Sequence, residues 1–500
     1  MSPRTASSAP VTLLRLDARG EAPAYRRICD ALREAIISGR LAPGAHLPST
    51  RLFAAELGVS RNTVNGALAH LRSEGYVVAR PRAGTFVNER LDAEGLLPPR
   101  HRASGAPRPA PREPRLSVRA RLLARLPLAA GRSVVQPARP FQTGVPALDA
   151  FPWTLWARLA SGRTRRSGPL LSAYGDVLGF EPLRSAIAVY VAAARGAHCS
   201  AAQVIVTSGA QQGLDLVARV LVDPGDAVGV EDPGYPAVRG ALAGVGARLV
   251  PLGLDAEGVR VPERARVPLR VVYVTPSRQF PTGVTMSAAR RLQLLRWADQ
   301  ADAWIVEDDY DSEFRYASRP LGCLQGLDER QRVIYVGTFS KTVFPGLRLG
   351  YLIVPPPLVP AFCDARAVAD RQPPGIAQAV LADFIAQGHL TRHVRRMRAL
   401  YEERRDALLD AVLEHIGDRV EIGDTAAGMH AVAWLKPGVR DQRIAEAALE
   451  EGVEVSPLSR YAIRPLGRGG LLLGYVGFPP PALREAVRRL AGVLDAARRR

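Results

Sequence analysis

One lysine of this chain has the setting of a covalent catalyst. It is Lys341, within GTFSKTVFPGLRLGY at residues 337–351, and the only other lysine is Lys436 in WLKPGV. Lysine and arginine together number 67, so arginine fills almost every basic position. Arginine stays protonated in proteins, whereas a deprotonated lysine is a nucleophile that condenses with carbonyl groups. We therefore predict that Lys341 forms a Schiff base and that Lys436 lies in an exposed turn.

The residues near the ends of the predicted strands match the needs of pyridoxal phosphate. This cofactor needs a carboxylate at its pyridine nitrogen, a hydroxyl at its phenolic oxygen and an aromatic face against its ring. Its phosphate needs hydroxyls, an arginine and a helix N-terminus. The candidates for the ring are Asp308, Tyr310 and Tyr235, and those for the phosphate are Gly209, Ala210, Gln211, Thr338, Ser340 and Arg348. Each alone has an ordinary structural explanation, so the prediction depends on their combination around Lys341.

These residues belong to a region in which short apolar runs alternate with helical patterns. Runs such as QVIVTSG, RVVYVTPS and AWIVEDDY suit strands buried on both faces, which predicts an α/β fold with crossover helices over residues 141–374. From residue 375 to 500 the pattern predicts a smaller α+β domain that begins with a long helical pattern at about 377–415. We predict a Pro- and Arg-rich linker over 89–140, in which RLSVRARLLARL could form one basic helix.

The first region, residues 20–88, has the pattern of a small DNA-binding domain. A first amphipathic helix is predicted from about Ala24 to Ser38, a second from the cap Ser49 to Leu57, and a third after the cap Ser60. The segment YVVARPRAGTFV then reads as a hairpin. Three helices and a hairpin make a winged helix-turn-helix, whose third helix enters the major groove of DNA. A small protein-binding bundle is the alternative.

The amino-acid sequence of this region resembles the GntR-type DNA-binding domain. The matching segments are GRLAPGAHLPSTR, LGVSRNTV, and EGY followed by GTFV. The polar start of the third helix adds Asn62 as a candidate. The resemblance implies that the following residues lie near phosphates or bases of an operator: Pro48, Ser49, Arg51, Ser60, Arg61, Thr63, Gly84 and Thr85.

The composition of the chain fits such a partner. Its formal net charge is +19 and its pI is about 10.6, which favours a polyanion, although a general arginine bias gives the same result. The cysteines, Cys29, Cys199, Cys323 and Cys363, form no CxxC pair, so we expect a reducing compartment and no metal site. The sequence begins without a signal-peptide pattern and has no long apolar run, so we expect a cytoplasmic location and no membrane association.

From residue 141 onward the sequence resembles fold-type I aminotransferases, and the whole chain resembles MocR/GabR-type transcriptional regulators. The motifs are SGAQQGLDL, EDPGY, EDDYDSEFRY, GTFSKT and PGLRLGY. The resemblance implies Lys341 as the Schiff-base lysine, Asp308 at the pyridine nitrogen and Tyr310 at the phenolic oxygen, with the phosphate held by Arg348 and Ser340. It also implies a homodimer in which Tyr174 reaches the phosphate of the neighbouring subunit.

The expected substrate site departs from the aminotransferase pattern. Phe280 stands where an asparagine commonly precedes PTG, and Arg278 stands where the family often has histidine. The late arginine that binds a substrate carboxylate is replaced by Leu473, and Arg464 is a nearby substitute. An arginine that one family member uses just after the position of Tyr235 is also missing, and Arg239 lies close to that position in the sequence. Arg278, Arg239 and Arg464 are therefore our candidates for contacts with an effector.

Three functions remain open from the sequence. The first is a transcriptional regulator whose aminotransferase-like domain senses pyridoxal phosphate, alone or with an amine or amino acid that condenses with it. The second is a working aminotransferase with an accessory DNA-binding domain. The third is a regulator in which that domain only dimerises. The presence of Lys341 and Asp308 argues against the third, and the missing carboxylate-binding arginine argues against the second.

Overall fold

The computed structural model describes residues 22–93, 115–124, 138–167, 171–262, 267–316 and 322–498. They belong to two compact units, which divide between Pro114 and Arg115. The Pro-rich part of the predicted linker and the first 21 residues lie outside the described residues.

The N-terminal unit is the predicted winged helix-turn-helix. Its elements are α1 (Ala24–Ile37), α2 (Thr50–Leu57), α3 (Arg61–Ser73), β1 (Val77–Arg80), β2 (Gly84–Val87) and the short α4 (Arg90–Ala93). Both predicted caps are confirmed, because the Ser49 hydroxyl accepts from the Leu52 amide at 3.3 Å and the Ser60 hydroxyl from the Thr63 amide at 3.1 Å. The apolar face of α3 packs against α1, and Leu91 of α4 joins the same core. The unit therefore continues a few residues past the predicted boundary at 88.

The second unit is built on an eight-stranded sheet. In spatial order its strands are β3 (Val204–Thr207), β10 (Gly350–Ile353), β9 (Val333–Thr338), β8 (Trp304–Asp309), β7 (Leu269–Val274), β4 (Ala227–Asp232), β5 (Arg248–Asp255) and β6 (Gly258–Val259). The pairs from β9 across to β5 are parallel, and β10 runs antiparallel to both of its neighbours. The helices of this large domain are α6 (Trp153–Arg166), α7 (Glu181–Arg195), α8 (Ala210–Leu221), α9 (Pro236–Val245), α10 (Ala288–Gln300), α11 (Leu324–Leu327), α12 (Val359–Ala369) and α13 (Gly375–Ala386).

The central strands are buried along their length, which is why their sequences show no polar alternation. All four residues of β3 and all four of β10 are buried, as are five of the six in β8 and in β9. The parallel strands β4, β7, β8 and β9 end at the same edge of the sheet. That edge brings together the side chains that follow these strands.

A smaller antiparallel sheet forms the core of the C-terminal part. Its strands, in the spatial order β11, β12, β14 and β13, are β11 (Val420–Ile422), β12 (His430–Leu435), β14 (Gly470–Gly474) and β13 (Ser456–Pro457). Around it lie α14 (His389–Ile416), α15 (Asp441–Glu450) and α16 (Pro480–Arg498). The single helical pattern expected at 377–415 is two helices, because Gly388 adopts a left-handed φ of 71° between α13 and α14.

The packing does not follow the predicted division between residues 374 and 375. Phe141 and Ala147 belong to the core of the small domain, and Gly474 donates its amide to the carbonyl of Phe141 at 2.9 Å. Conversely, α13 packs in the core of the large domain together with Leu390 and Val394, at the start of α14. The small domain therefore includes a segment from the start of the predicted large domain, and the large domain includes the segment that follows the predicted boundary.

One stretch of the predicted linker is ordered against the large domain. The basic helix expected there is present as α5 (Val118–Ala124), and it contacts α9. The cysteines are all free. In the part of the chain that the structure describes, no helix combines the length and the apolar character that crossing a membrane requires.

Candidate functional site

A cavity of about 390 Å³ opens at the edge of the large sheet where the parallel strands end. Residues from both the large and the small domain line it. The edge where parallel strands end is the usual place for a ligand in an open α/β sheet, and so is the boundary between two domains. Nine of the predicted cofactor residues line this cavity: Ala210, Gln211, Tyr235, Asp308, Tyr310, Thr338, Ser340, Lys341 and Arg348. Their roles toward the cofactor stay predictions.

Lys341 lies in the turn after β9 with its amine inside the cavity. Its Nζ donates a hydrogen bond to the carbonyl of Gly144 at 3.0 Å. Gly144 has a φ of 79°, which favours glycine, and a Cβ there would lie 2.7 Å from Nζ and displace the lysine amine. Burial lowers the pKa of the Lys341 amine, while the carboxylates of Asp311 and Asp308 act in the opposite direction. A lowered pKa increases the fraction of free amine that can attack a carbonyl.

Asp308 lies at the end of β8 with one oxygen still lacking a partner. Its Oδ2 accepts a hydrogen bond from the Tyr273 hydroxyl at 2.7 Å, whereas its buried Oδ1 has no hydrogen-bond partner. Burial raises the pKa of the Asp308 carboxyl to about 6, against the lowering effect of Tyr273. Such an unpaired oxygen is costly unless a ligand supplies a donor. The protonated pyridine nitrogen of pyridoxal phosphate is a donor of the required kind.

Three aromatic residues surround the place predicted for the cofactor ring. The Tyr310 hydroxyl is buried without a hydrogen-bond partner, so it can donate to a phenolic oxygen. Tyr235 stands at the residue before α9, in the rigid turn after β4. Phe280 meets Tyr235 edge-on, with ring centroids 5.7 Å apart. Because Phe280 cannot form hydrogen bonds through its side chain, Tyr310 is the predicted donor to the phenolic oxygen.

The phosphate candidates form a second group at the start of α8. Gly209 is the residue before this helix, and Ala210 and Gln211 are its first residues, so their N–H groups point outward from the helix N-terminus. Arg348 donates through Nη2 to the carbonyl of Ser208 at 3.1 Å, which holds its guanidinium beside that terminus. Thr338 and Ser340 add hydroxyls on either side of Phe339. This set of donors fits a phosphate.

The three arginines proposed for an effector do not line the cavity. Arg239 donates to the carbonyls of Gly234 and Tyr461, and the Nη2 of Arg278 donates to the carbonyl of His430 at 2.6 Å. Arg464 is exposed, and its backbone amide is bonded to Asp232. Each of the first two guanidinium groups joins backbone segments through Nη2, whereas Arg239 Nε and Arg278 Nε and Nη1 are buried without a hydrogen-bond partner among the described residues.

The part of β14 expected to carry the carboxylate-binding arginine has leucines on both faces of the strand. Leu473 packs in the core of the small domain, away from the site. Its neighbour Leu472 belongs to a cluster with Phe280 and Tyr461, and those two aromatic residues line the cavity. Since alternate residues of a strand face opposite sides, Leu472 rather than Leu473 occupies the side toward the site.

Several lining residues were not anticipated from the sequence. They include the hydroxyl-bearing and aromatic residues Thr143, Tyr273, Thr275, His430 and Tyr461. Tyr273 and Thr275 stand at the end of β7 in RVVYVTPS, where a strand-end argument could have found them. Thr143, His430 and Tyr461 come from segments distant in the sequence, and only the closure of the small domain against the large one places them here.

Tyr174 is not part of this cavity. Its side chain is 82% exposed, and the guanidinium of Arg371 lies over its ring at 4.7 Å. An exposed tyrosine held by an arginine is available to another molecule, and the predicted role toward a neighbouring subunit stays a prediction.

The predicted DNA contacts cluster on the N-terminal unit with one departure. Ser49, Arg51, Ser60, Arg61, Asn62 and Gly84 are exposed, and Thr63 and Thr85 are partly buried. Pro48 is buried, so it supports the start of α2 instead of presenting a surface to DNA. The exposed start of α3 carries Arg61 and Asn62, which is where base and phosphate contacts are expected.

Buried carboxyls at the strand ends predict an unusual pH dependence. Burial raises the pKa of Asp308 to about 6 and those of Glu231, Glu307, Asp311 and Glu313 to about 7 each. A carboxyl with a raised folded-state pKa stabilises the fold at low pH, and this contribution is lost as pH rises through that pKa. Buried neutral histidines have the opposite effect, because they favour the fold as pH rises towards the pKa of a free histidine. Above that value, about 6.5, they no longer offset the loss of stability from the carboxyls.

We therefore expect the cofactor-free protein to unfold at lower temperature as pH rises from about 6.5 to about 8. Thermal unfolding of apo protein at several pH values checks the sign. A midpoint that rises across this interval would contradict the assignment of raised pKa values.

Comparisons with known proteins agree with both units. The family model "Aminotransferase class I and II" matches residues 145–490, and the model "Bacterial regulatory proteins, gntR family" matches residues 24–87. The chain is 40% identical to the probable rhizopine catabolism regulatory protein MocR of Rhizobium meliloti, over 96% of this chain and 95% of that protein. It is 31% identical to the pyridoxine biosynthesis transcriptional regulator PdxR of Corynebacterium glutamicum, over 94% and 96%. The crystal structure of a multiple substrate aminotransferase from Thermococcus profundus matches with a TM-score of 0.68 at 30% identity, over 77% and 96%.

Proposed function

Because the chain belongs to the MocR/GabR-type regulators, in which a gntR-family domain precedes an aminotransferase class I and II domain, we propose that its second domain is a sensor. The chain is a pyridoxal-phosphate-dependent, DNA-binding transcriptional regulator. The sensed molecule is pyridoxal phosphate, alone or with an amine or amino acid that condenses with it at Lys341. The observation that carries this proposal is the pair of unpartnered buried atoms, Asp308 Oδ1 and the Tyr310 hydroxyl, in the cavity that holds Lys341.

The groups that line the cavity would each contact a different part of the bound cofactor. When bound, pyridoxal phosphate supplies a carbonyl carbon that condenses with primary amines. Lys341 would anchor it, Asp308 would hold a proton at the pyridine nitrogen, and Tyr310 would donate to the phenolic oxygen. Arg348 and the start of α8 would orient the phosphate. The residues of the small domain would close the cavity and limit the access of water.

The DNA-binding unit would read an operator through the start of α3. We propose double-stranded DNA as the macromolecular partner and a homodimer as the working unit, with Tyr174 extending to the neighbouring subunit. We also propose that the domains follow the predicted ranges 20–88, 141–374 and 375–500, apart from the two segments described above. A regulator of this kind acts in the cytoplasm.

A ligand acts as a switch only if it binds two arrangements of the protein with different affinity. We therefore expect operator affinity, measured at one fixed salt concentration, to differ between cofactor-free and cofactor-loaded protein. The Lys341→Ala variant should give the value of the cofactor-free protein under both conditions. Identical affinities in all of these states, together with unchanged transcription from the operator, would refute the sensing function.

The intact cofactor cavity also supports a second function, a working aminotransferase. The family fold is that of a pyridoxal-phosphate-dependent transferase. Steady-state turnover with an amino donor and a keto acid separates the two functions. We expect turnover to be absent or limited to a half reaction, because none of the three candidate arginines lines the cavity.

A further inference from the structure

The wall that the small domain adds to the cavity carries no charge at neutral pH. Met429, His430 and Tyr461 form it. His430 is buried and donates from Nε2 to the carbonyl of Pro281 at 3.0 Å. Burial, with the nearby guanidinium of Arg278, lowers the pKa of His430 to about 3, so the ring is neutral. This wall offers polar contacts without a cation.

Aromatic rings cover much of the same cavity. Phe280 lies edge-on to Tyr461 at 5.2 Å, to Tyr235 at 5.7 Å and to His430 at 5.7 Å. It also lies edge-on to Tyr310 at 5.9 Å. A cluster of this kind favours the uncharged part of a ligand, either an apolar group or one whose hydroxyls reach the tyrosines.

The guanidinium groups near the cavity do not face the position expected for the effector. Among the described residues that line the cavity, Arg348 is the only arginine, and it lies beside the predicted phosphate position. Arg239 and Arg278 each donate to backbone carbonyls, as described above. The other basic side chain that lines the described cavity is Lys341, which the cofactor would engage. A carboxylate brought into the cavity would therefore meet the side chain of Asp308 and the rings around Phe280 without a cation reserved for it.

A buried carboxylate without a cation or strong donors carries a large desolvation cost. We infer that the effector of this protein is a primary amine with no carboxylate on the carbon that bears its amino group. This inference rests on the proposed sensing function and gives it a ligand class. Phe280 then acts as a residue that determines specificity, because it holds the aromatic wall together.

The exchange of Lys341 for the effector amine on the cofactor needs no other reactant. With the cofactor bound, the amine nitrogen of the effector would replace the nitrogen of Lys341 on the cofactor carbon, so the bond from that carbon to the lysine nitrogen would break as the new one forms. Two protons would pass from the incoming nitrogen to the departing one, and Lys341 would leave as a free amine. No oxidant or reductant is consumed.

The test compares pairs of ligands that differ only in the carboxylate. Phenethylamine with phenylalanine and tyramine with tyrosine are suitable, added to the full-length, cofactor-loaded protein. We follow the visible spectrum of the bound cofactor and operator affinity. We expect each amine to act at a concentration at least about 10-fold lower than its amino acid, which corresponds to about 1.4 kcal/mol.

A variant pair adds a second test at the same position. Phe280→Arg places a guanidinium in the partly exposed wall and should reduce or reverse the preference for amines, whereas Phe280→Leu should keep it. Thermal unfolding verifies that both variants fold, and the wild-type ligand comparison stands if either does not.

Two outcomes would overturn the inference. The first is an amino acid that acts at the same or a lower concentration than its amine. The second is a set of amines and amino acids that leave both the spectrum and operator affinity unchanged. Neither outcome touches the sensing function, which depends on the separate comparison of cofactor-free and cofactor-loaded protein.

Discussion

Replacement of Lys341 by alanine should abolish covalent attachment of pyridoxal phosphate. Within the described part of the chain, the Nζ of Lys341 is the only lysine amine that reaches the cavity, where it is bonded to the Gly144 carbonyl at 3.0 Å. Without it no protein nitrogen is positioned to condense with the cofactor. The measurement is reduction of the loaded protein with borohydride, followed by mass spectrometry of its peptides. We expect label on the peptide of Lys341 and complete loss in the variant.

The matched control uses the other lysine of the chain. Lys436 is exposed and lies outside the cavity, so Lys436→Ala should retain the label and the visible absorbance. Label that persists in Lys341→Ala, or disappears only in Lys436→Ala, would disprove the assignment. We expect Lys341→Ala to retain noncovalent binding of the cofactor if Asp308 and Arg348 contact the ring and the phosphate as proposed. This binding should be weaker than in the wild-type protein, because the covalent bond is lost.

Replacement of Arg61 by alanine should weaken operator binding by about 1–3 kcal/mol if the side chain contacts a base. Arg61 is exposed at the first position of α3, directly after the cap Ser60. The N-terminal residues of this helix are the ones that approach base edges in winged helix-turn-helix proteins. Gel-shift or fluorescence titration with the operator at fixed salt measures the loss. Arg51→Ala should have a smaller effect, typical of a phosphate contact.

The matched control for Arg61 lies on the same helix. Arg72 is also exposed and carries the same charge, but it stands at the opposite end of α3. Arg72→Ala should leave operator affinity nearly unchanged, and all three variants should keep the absorbance of the bound cofactor. Equal losses for Arg61 and Arg72 would indicate a general charge effect, and the docking of α3 would then be wrong.

The features that were predicted correctly are local ones. The caps Ser49 and Ser60 follow from the hydroxyl that satisfies a helix N–H, and the buried strands follow from unbroken apolar runs. Asp308 and Lys341 could be placed in one cavity because both come at the ends of neighbouring parallel strands, β8 and β9. Strand-end reasoning needs only the order of the strands in the sheet.

The features that were missed depend on contacts between distant segments. The grip of Arg239 on the Tyr461 carbonyl and of Arg278 on the His430 carbonyl joins residues of the large domain to the small one. Sequence pattern alone cannot show that a guanidinium is already occupied by a carbonyl. Sequence pattern also does not show that Pro48, which the resemblance places near DNA, is buried.

The unpartnered Asp308 oxygen and Tyr310 hydroxyl also bear on the stability of the protein without its cofactor. Each buried polar atom without a partner costs about 1–3 kcal/mol in the cofactor-free fold. A ligand that binds only the folded state stabilises it by about 2.7 kcal/mol when present at about 100 times its Kd. Differences of about 1–2 kcal/mol change the abundance of a protein several-fold through degradation of unfolded chains. We therefore expect the supply of pyridoxal phosphate to influence the number of regulator molecules as well as their proposed state, with fewer copies of this protein in a cell short of the cofactor.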